Sequence, residues 1–476
     1  MNPELVPLLV NGQDVTTGRT FVVDDPATEE QIAQVAAADK ETTLAALEAA
    51  KKAFPAWSKT TLAERKAIAL RYVDLLERDR EHLTDLLVAE TGKPRDAAGY
   101  DVTILVNSVR FFQEEVERIR QEVIPDPTGR FHHYVLRQAL GVVVGFLAWN
   151  YPLLNLGYKL GPILATGCTS VIKPSRHTPL ATLASARLLS EAGVPDGVVN
   201  VIACDDRETT RVLLQSDIPA LVTMIGSTAA GLEVMRTAST SIKRYSLELG
   251  GNAPAIVYPD ADLQDAVNRI VDLKFSNAGQ VCVAPNRALV HAEVLEDFLR
   301  LAAERVGKFN LGSGVGPLPM MGPMITADAR DRMLELVQES VADGAKVVCG
   351  GSRPEQPARG YFMQPTVLRD VRPEMRIARE EIFGPILPVI RFTEDEEALA
   401  MGNDTNYGLA AYVFTTNLSR ALHAVETLQA GSVCVNEPHN GVHLPHGGQK
   451  QSGLGCDRSH YSLEEYMTLK RVTIRK

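Results

Sequence analysis

Three side chains in this sequence have the types and settings that carbonyl chemistry needs. Cys282 sits in NAGQVCVAPNR (Asn277 to Arg287), flanked by Val281 and Val283. A thiol so placed is either a small packed hydrophobe or, as the thiolate, a strong nucleophile. Glu248 lies 34 positions earlier, between two leucines in SLELGG (Ser246 to Gly251). A carboxylate in such company must be paired, solvated through a channel, or shifted towards neutrality. Those are also the conditions that suit a general base near neutral pH. Asn150, in LAWNYP (Leu147 to Pro152), ends a β-rich run. Its amide reads either as a turn former or as a donor to a developing oxyanion.

Two further stretches have the character of anion sites. In MIGSTAAG (Met224 to Gly231) a β-rich run ends at Gly226, and a helix-compatible segment begins at Ser227. Free N–H groups at such a helix start favour a phosphate, although the same residues serve ordinary turns. SVIKPSRHTP (Ser170 to Pro179) puts Lys173 and Arg176 after another β-rich run. A doubly wound fold meets the adenosine ribose there, so these cations read either as ribose or 2′-phosphate ligands or as solvated charges.

The elements that must position these residues follow from periodicity. Between Thr43 and Arg120 the pattern is mostly helical, and Gly92 to Pro94 ends the run ERKAIALRYVDLLERDREHLTDLLVAETG. After Pro125 short runs such as VVVGF, SVIKP, VVNVI and ALVTMIG alternate with helical segments, which predicts a parallel, doubly wound α/β sheet. A second α/β lobe begins at NAPAIVYPD and includes GLAAYVF, and the chain closes on a strand-like tail, KRVTIRK. A crevice between lobes is where a ligand is expected. SGVGPLPMMGP (Ser313 to Pro323) and GGSRPEQPARG (Gly350 to Gly360) read as surface loops.

Composition narrows the partners. The 476 residues are 45% hydrophobic and 23% charged, with a net charge of −10, so neither nucleic acid nor an anionic membrane is an expected partner. The start, MNPELVPLLVNGQDV, lacks a secretory pattern, and no apolar run approaches a bilayer span. Six dispersed cysteines without a CxxC pair suggest no metal site and fit a reducing cytoplasm.

Taken in order, Asn150, Lys173, GST at Gly226 to Thr228, LELGG around Glu248, GQVC ending at Cys282, EEIFGP at Glu380 to Pro385 and PHGGQKQSGLG resemble the aldehyde dehydrogenase superfamily along nearly the whole chain. The resemblance implies a Rossmann-like cofactor-binding domain (residues 1–120 and 140–250) and a catalytic domain (251–455). It also implies a small β oligomerisation element (121–139 and 456–476) and a homodimer or homotetramer. Cys282 is then the nucleophile, Glu248 the base that activates the hydrolytic water, and the Asn150 amide with the Cys282 N–H the oxyanion hole. NADP or NAD would be held by Trp149, Lys173, Ser175, Arg176, Gly226, Ser227, Glu381 and Phe383. Tyr151, Leu154, Asn155, Tyr158, Val281, Val283, His439 and His443 would line the aldehyde tunnel.

Two departures from the family pattern bear on the cofactor: Met224-Ile225 replaces Phe-Thr, and Asn252 follows LELGG where a basic residue is usual. A third is more informative. Arg176 stands where family members that prefer NAD commonly have Glu, and a guanidinium favours a 2′-phosphate, so NADP is expected to be accepted and preferred. No matched tunnel position carries an Arg, which points to a small polar or hydroxylated aldehyde rather than a strongly anionic semialdehyde. An aminoaldehyde facing the two tyrosines, or another semialdehyde oxidised by the same mechanism, is the alternative. Two other classes remain: a CoA-acylating dehydrogenase, in which the water-activating glutamate is generally lost, and an inactive structural homologue.

Overall fold

A computed structural model describes residues 5–476; residues 1–4, which open both the expected cofactor domain and the stretch read above for a leader, lie outside the described residues. The runs of valine and isoleucine form the predicted strands because β-branched side chains fit a sheet buried on both faces. An eight-stranded sheet has the order Gly453–Leu454, Arg244–Glu248, Pro219–Ile225, Val142–Phe146, Thr169–Lys173, Val199–Val201, Leu8–Val10, Gln13–Val15. Its five central strands are parallel. Val143, Val144, Val171, Ile172 and Val222 are fully buried in it. From Val142–Phe146 the chain builds outward through Thr169–Lys173 and Val199–Val201, then returns to add Pro219–Ile225 on the other side. This reversal opens a crevice at the carboxyl ends of the strands.

A seven-stranded sheet forms the second core, in the order Lys346–Cys349, Thr366–Arg369, Ile386–Phe392, Pro285–His291, Ala253–Val257, Ala410–Phe414, Ser432–Val435. All its pairings are parallel except that of Lys346–Cys349 with Thr366–Arg369. The two large clusters of buried apolar residues divide accordingly, one drawn mainly from residues 8–249 and the other from 253–428. The tail strand Met467–Arg475 pairs antiparallel with Phe131–Ala139 over its whole length, and Glu122–Ile124 completes a three-stranded sheet. No helix of the described residues is long and apolar enough to cross a membrane.

Two local expectations change. The second helical run is two helices, Leu62–Arg78 and Arg80–Thr91, because Asp79 leaves helical geometry between them. Gly92, at φ 69°, closes the second helix in the left-handed conformation that glycine adopts without steric cost. The proline-rich stretch from Ser313 is exposed only in part: Met321 to Pro323 are buried. The Pro323 carbonyl accepts a hydrogen bond from Gln280 in the cysteine loop. Packing beneath a functional loop thus overrides the turn-forming composition.

Candidate active site

A cavity of about 770 Å³ occupies the crevice, and Cys282, Glu248 and Asn150 all line it. Each arrives on a different connection: Asn150 after Val142–Phe146, Glu248 at the end of Arg244–Glu248, and Cys282 in the loop before Pro285–His291.

The cysteine loop is held rigidly. Asn277 and Ala278 both have positive φ, 47° and 54°, so the Ser276–Gly279 turn is not regular helix. Gln280 secures it: the amide nitrogen donates to the carbonyls of Asn277 and Pro323, and the amide oxygen accepts from the Ile325 N–H. Gly251 passes so close that a Cβ there would lie 2.3 Å from the Cys282 carbonyl oxygen. Tyr412 Oη fixes the other side by donating to the Val283 carbonyl at 2.6 Å. Burial pushes the Cys282 thiol up to about 12; the negative charges of Glu381 and Glu248 add to this and Arg458 opposes it.

Asn150 Nδ2 donates to the Gln280 carbonyl at 3.0 Å, which ties the amide to the cysteine loop. Two hydrogens sit on that nitrogen, so one remains for a substrate oxygen. Asn155, expected to bond substrate, instead donates to the Ala148 carbonyl and to Asn150 Oδ1 at 3.4 Å. It still lines the cavity, but its amide protons go to Ala148 and to Asn150, the second bond orienting the Asn150 amide.

Glu248 is buried and neither carboxyl oxygen has a hydrogen-bond partner among the described residues. Desolvation first, then the charge of Asp457, raises its pKa well above the usual range, while Lys159 and Arg458 oppose the shift. Asp457 is itself fully buried and bonded through both oxygens to Lys159 Nζ at 2.7 Å. His446, absent from the expected site, lines the cavity with its Nε2 3.8 Å from Glu248. Burial lowers its pKa well below the ordinary value, so the ring is neutral. It lies inside the motif PHGGQKQSG, Pro445 to Gly453, which His439 and His443 precede.

The cofactor side is built around Gly226 and Ser227, which line the cavity at the start of the Thr228–Ala238 helix. Ser227 caps that helix by accepting from the Ala230 N–H. A Cβ on Gly226 would meet only the flexible end of the Met224 side chain, Cε at 2.4 Å, and the bare glycine leaves an open cradle for a phosphate. Glu381 is half-buried and accepts from the Gly251 N–H at 2.9 Å; desolvation of its carboxyl raises it to about 7. Trp149 and Phe383 meet edge to face at 5.5 Å in the same cavity. Lys173, Ser175 and Arg176 do not line the main cavity. Lys173 ends the strand beside Val142–Phe146, and Ser175 Oγ accepts from the His177 N–H. Arg176 is exposed and borders a second hollow of about 130 Å³ with Asp24, His177 and Tyr361. Asn252 lies outside the cavity: it is buried and donates to the Ala378 carbonyl, a setting in which a lysine charge would be unsolvated.

The substrate side departs most from expectation. Tyr151, Leu154, Tyr158, Val281 and Val283 line the cavity, but His439 and His443 are exposed residues outside its wall. They sit in a loop whose path local sequence pattern does not specify. An arginine that sequence matching did not place does line it: Arg458, whose guanidinium lies 4.6 Å over the Tyr158 ring. The Tyr151 ring is covered by Lys93 Nζ at 3.7 Å. Both aromatic faces proposed for an aminoaldehyde therefore already hold cations. The premise that the tunnel lacks arginine, used above against anionic semialdehydes, is overturned.

Residues 13–472 match the aldehyde dehydrogenase family. The chain is 40% identical to the mitochondrial succinate-semialdehyde dehydrogenase of Arabidopsis thaliana, covering 98% of this chain and 88% of that one. It is 37% identical to the succinate-semialdehyde dehydrogenase [NADP(+)] GabD of Escherichia coli, covering 98% and 97%. The crystal structure of an E. coli NADP-dependent enzyme superposes with a TM-score of 0.96 at 36% identity, over 99% of this chain and 98% of that one. The cysteine, the carboxyl group, the oxyanion amide and the phosphate cradle thus meet in a fold and sequence shared with these enzymes, and the chain belongs to the aldehyde dehydrogenase family, oxidising an aldehyde to the carboxylic acid with NAD(P).

Proposed function

We propose that Cys282, Asn150 and Glu248 perform this reaction on a small polar semialdehyde, with NADP preferred. The convergence of the three side chains on one cavity beside the Gly226–Ser227 cradle carries the reading. Cys282 Sγ, once deprotonated, adds to the aldehyde carbon, and the oxygen gains negative charge towards the free Asn150 N–H and the Cys282 backbone N–H. The bound dinucleotide supplies the hydride acceptor. Glu248, held protonated at rest by burial, must first release that proton; as the carboxylate it takes the proton of the water whose oxygen bonds to the thioester carbon as the C–S bond to Cys282 breaks, with His446 facing it across 3.8 Å. The acid leaves and the thiol is restored.

Trp149, Phe383 and Glu381 hold the nicotinamide end, Gly226 and Ser227 the pyrophosphate, and Lys173, Ser175 and Arg176 the adenosine ribose and its 2′-phosphate. The exposed guanidinium of Arg176 is free to meet a phosphate dianion, and its charge already helps lower the His177 pKa, burial being the larger cause. We assign the cofactor domain to residues 1–120 and 140–250, the catalytic domain to 251–455, and oligomerisation as a dimer or tetramer to 121–139 with 456–476. Six unpaired cysteines suit the cytoplasm.

The test follows reduced-cofactor absorbance with semialdehyde, hydroxylated, amino and unsubstituted aldehydes, each with NADP and NAD. Turnover that is retained in Cys282→Ala, or that requires CoA, overturns the mechanism. In Arg176→Glu the kcat/KM ratio of NADP to NAD should fall by about 10²-fold or more, as expected when a phosphate loses its guanidinium and meets a carboxylate. An unchanged ratio removes Arg176 from the cofactor site.

A further inference from the structure

Arg458 has an unusual combination of properties for a cavity residue. It is 8% exposed, and its one hydrogen bond among the described residues runs from Nη1 to the Asn440 amide oxygen at 3.0 Å. Its Nε is buried without a partner. The neighbouring carboxylate, Asp457, does not serve it, because both Asp457 oxygens are taken by Lys159. The other arginine lining the cavity, Arg332, pairs with Glu380 at 3.4 Å. Arg458 forms no ion pair among the described residues. A desolvated guanidinium without a counter-charge is costly unless something else supplies the charge.

The backbone points the same way. Arg458 adopts φ 62° and ψ −179°, and Ser459 follows at φ 51°. The first of these conformations is essentially reserved for glycine, and a side chain persists there only when its surroundings hold it. Here the surroundings are the Tyr158 ring and the Asn440 amide, which aim the guanidinium into the cavity shared with Cys282.

We infer that Arg458 is the specificity-determining residue for the far end of the substrate, binding the carboxylate of an aldehyde that carries one. The inference rests on the aldehyde-oxidising reading of the cavity and deepens it by naming the substrate class. A planar guanidinium with free N–H groups matches a carboxylate, with the Tyr158 ring backing its face. The same charge disfavours aminoaldehydes.

Arg458→Gly tests this well, since glycine suits the conformation and the variant should fold at least as stably as the parent. The selectivity ratio, kcat/KM for 4-oxobutanoate over kcat/KM for butanal, should fall on the order of 10²-fold, mainly through KM, and Arg458→Lys should restore part of it. Effects on Cys282 reactivity act on both aldehydes and cancel in the ratio. An unchanged ratio, or a higher kcat/KM for glyceraldehyde 3-phosphate or 4-aminobutanal than for 4-oxobutanoate in the parent, overturns the assignment. A second readout needs no turnover: succinate should raise the melting temperature of the parent and not of Arg458→Gly. If no aldehyde is oxidised but that difference holds, the catalytic reading fails and the carboxylate site stands. Equal succinate stabilisation of both proteins overturns the site.

Discussion

At the scale of single residues, the environment of each reacting group sets when it can act. The Cys282 pKa is raised to about 12, chiefly by burial, so the thiol is protonated over the physiological range. Thiolate must be generated for attack, and its fraction grows with pH below that value. kcat/KM for the aldehyde should therefore climb between about pH 6 and 9 rather than level off near 7; a pH–rate profile that is flat across that window contradicts the buried-thiol account. Glu248 acts in the second half of the reaction. Glu248→Gln should retain a burst of reduced cofactor equal to the enzyme concentration while steady-state turnover falls by about 10²–10⁴-fold, the usual contribution of a general base. Rapid-mixing kinetics separates the two; loss of the burst itself would assign Glu248 to the acylation half.

At the scale of elements, the reacting atoms are held by loops wedged between strands. Gly251 and Gly279 have no room for a side chain: a Cβ would lie 2.3 Å from the Cys282 carbonyl oxygen in one case and 2.1 Å from the Gly384 carbonyl oxygen in the other. Gly251→Ala must displace the cysteine backbone, and with it the N–H proposed for the oxyanion hole. A shift of about 1 Å at reacting atoms costs on the order of 10²-fold in rate. The expected result is a fall of that size in kcat with the fold retained, checked by kinetics beside circular dichroism. Gln280 works similarly through three hydrogen bonds to backbone. Replacement by Leu strands the Ile325 N–H and Pro323 carbonyl, costing about 2–6 kcal/mol at ~1–3 kcal/mol per buried unsatisfied group. Denaturant unfolding measures it.

At the scale of the whole molecule, the tail strand Met467–Arg475 spans the length of Phe131–Ala139 and leaves apolar side chains outward. Val123 is 70% and Leu469 64% exposed. Such a surface on a small three-stranded sheet invites a second copy of the chain. Leu469→Glu with Val123→Glu should reduce the assembled species to monomer in size-exclusion chromatography with light scattering; an unchanged mass places the interface elsewhere. The segment just before this tail also enters the site, since Asp457, fixed by Lys159, raises the Glu248 pKa and Arg458 lines the cavity. The surface proposed for subunit contact and the segment that enters the site are thus adjacent along the chain.

The sequence by itself determined the alternation of strands and helices, because the valine- and isoleucine-rich runs have no other stable use than a buried parallel sheet. Motif order singled out Cys282, Glu248, Asn150, Gly226 and Ser227: Glu248 ends a strand, Gly226 and Ser227 lead into a helix, and Asn150 and Cys282 lie in the connections beside strands. What only the tertiary structure decided are facts about juxtaposition. Asn155 could be read as a substrate ligand until its amide was seen to bond Ala148 and Asn150. His446 lies within the PHGGQKQSG motif, yet no periodic pattern there gives its side chain a direction. Arg458 was hidden for a different reason: it occupies a backbone conformation that side chains rarely adopt, so no propensity rule would aim it at the cavity. Local pattern records how a residue meets its neighbours in the chain; the charge and shape offered to a substrate arise from residues brought together across hundreds of positions, which packing alone selects.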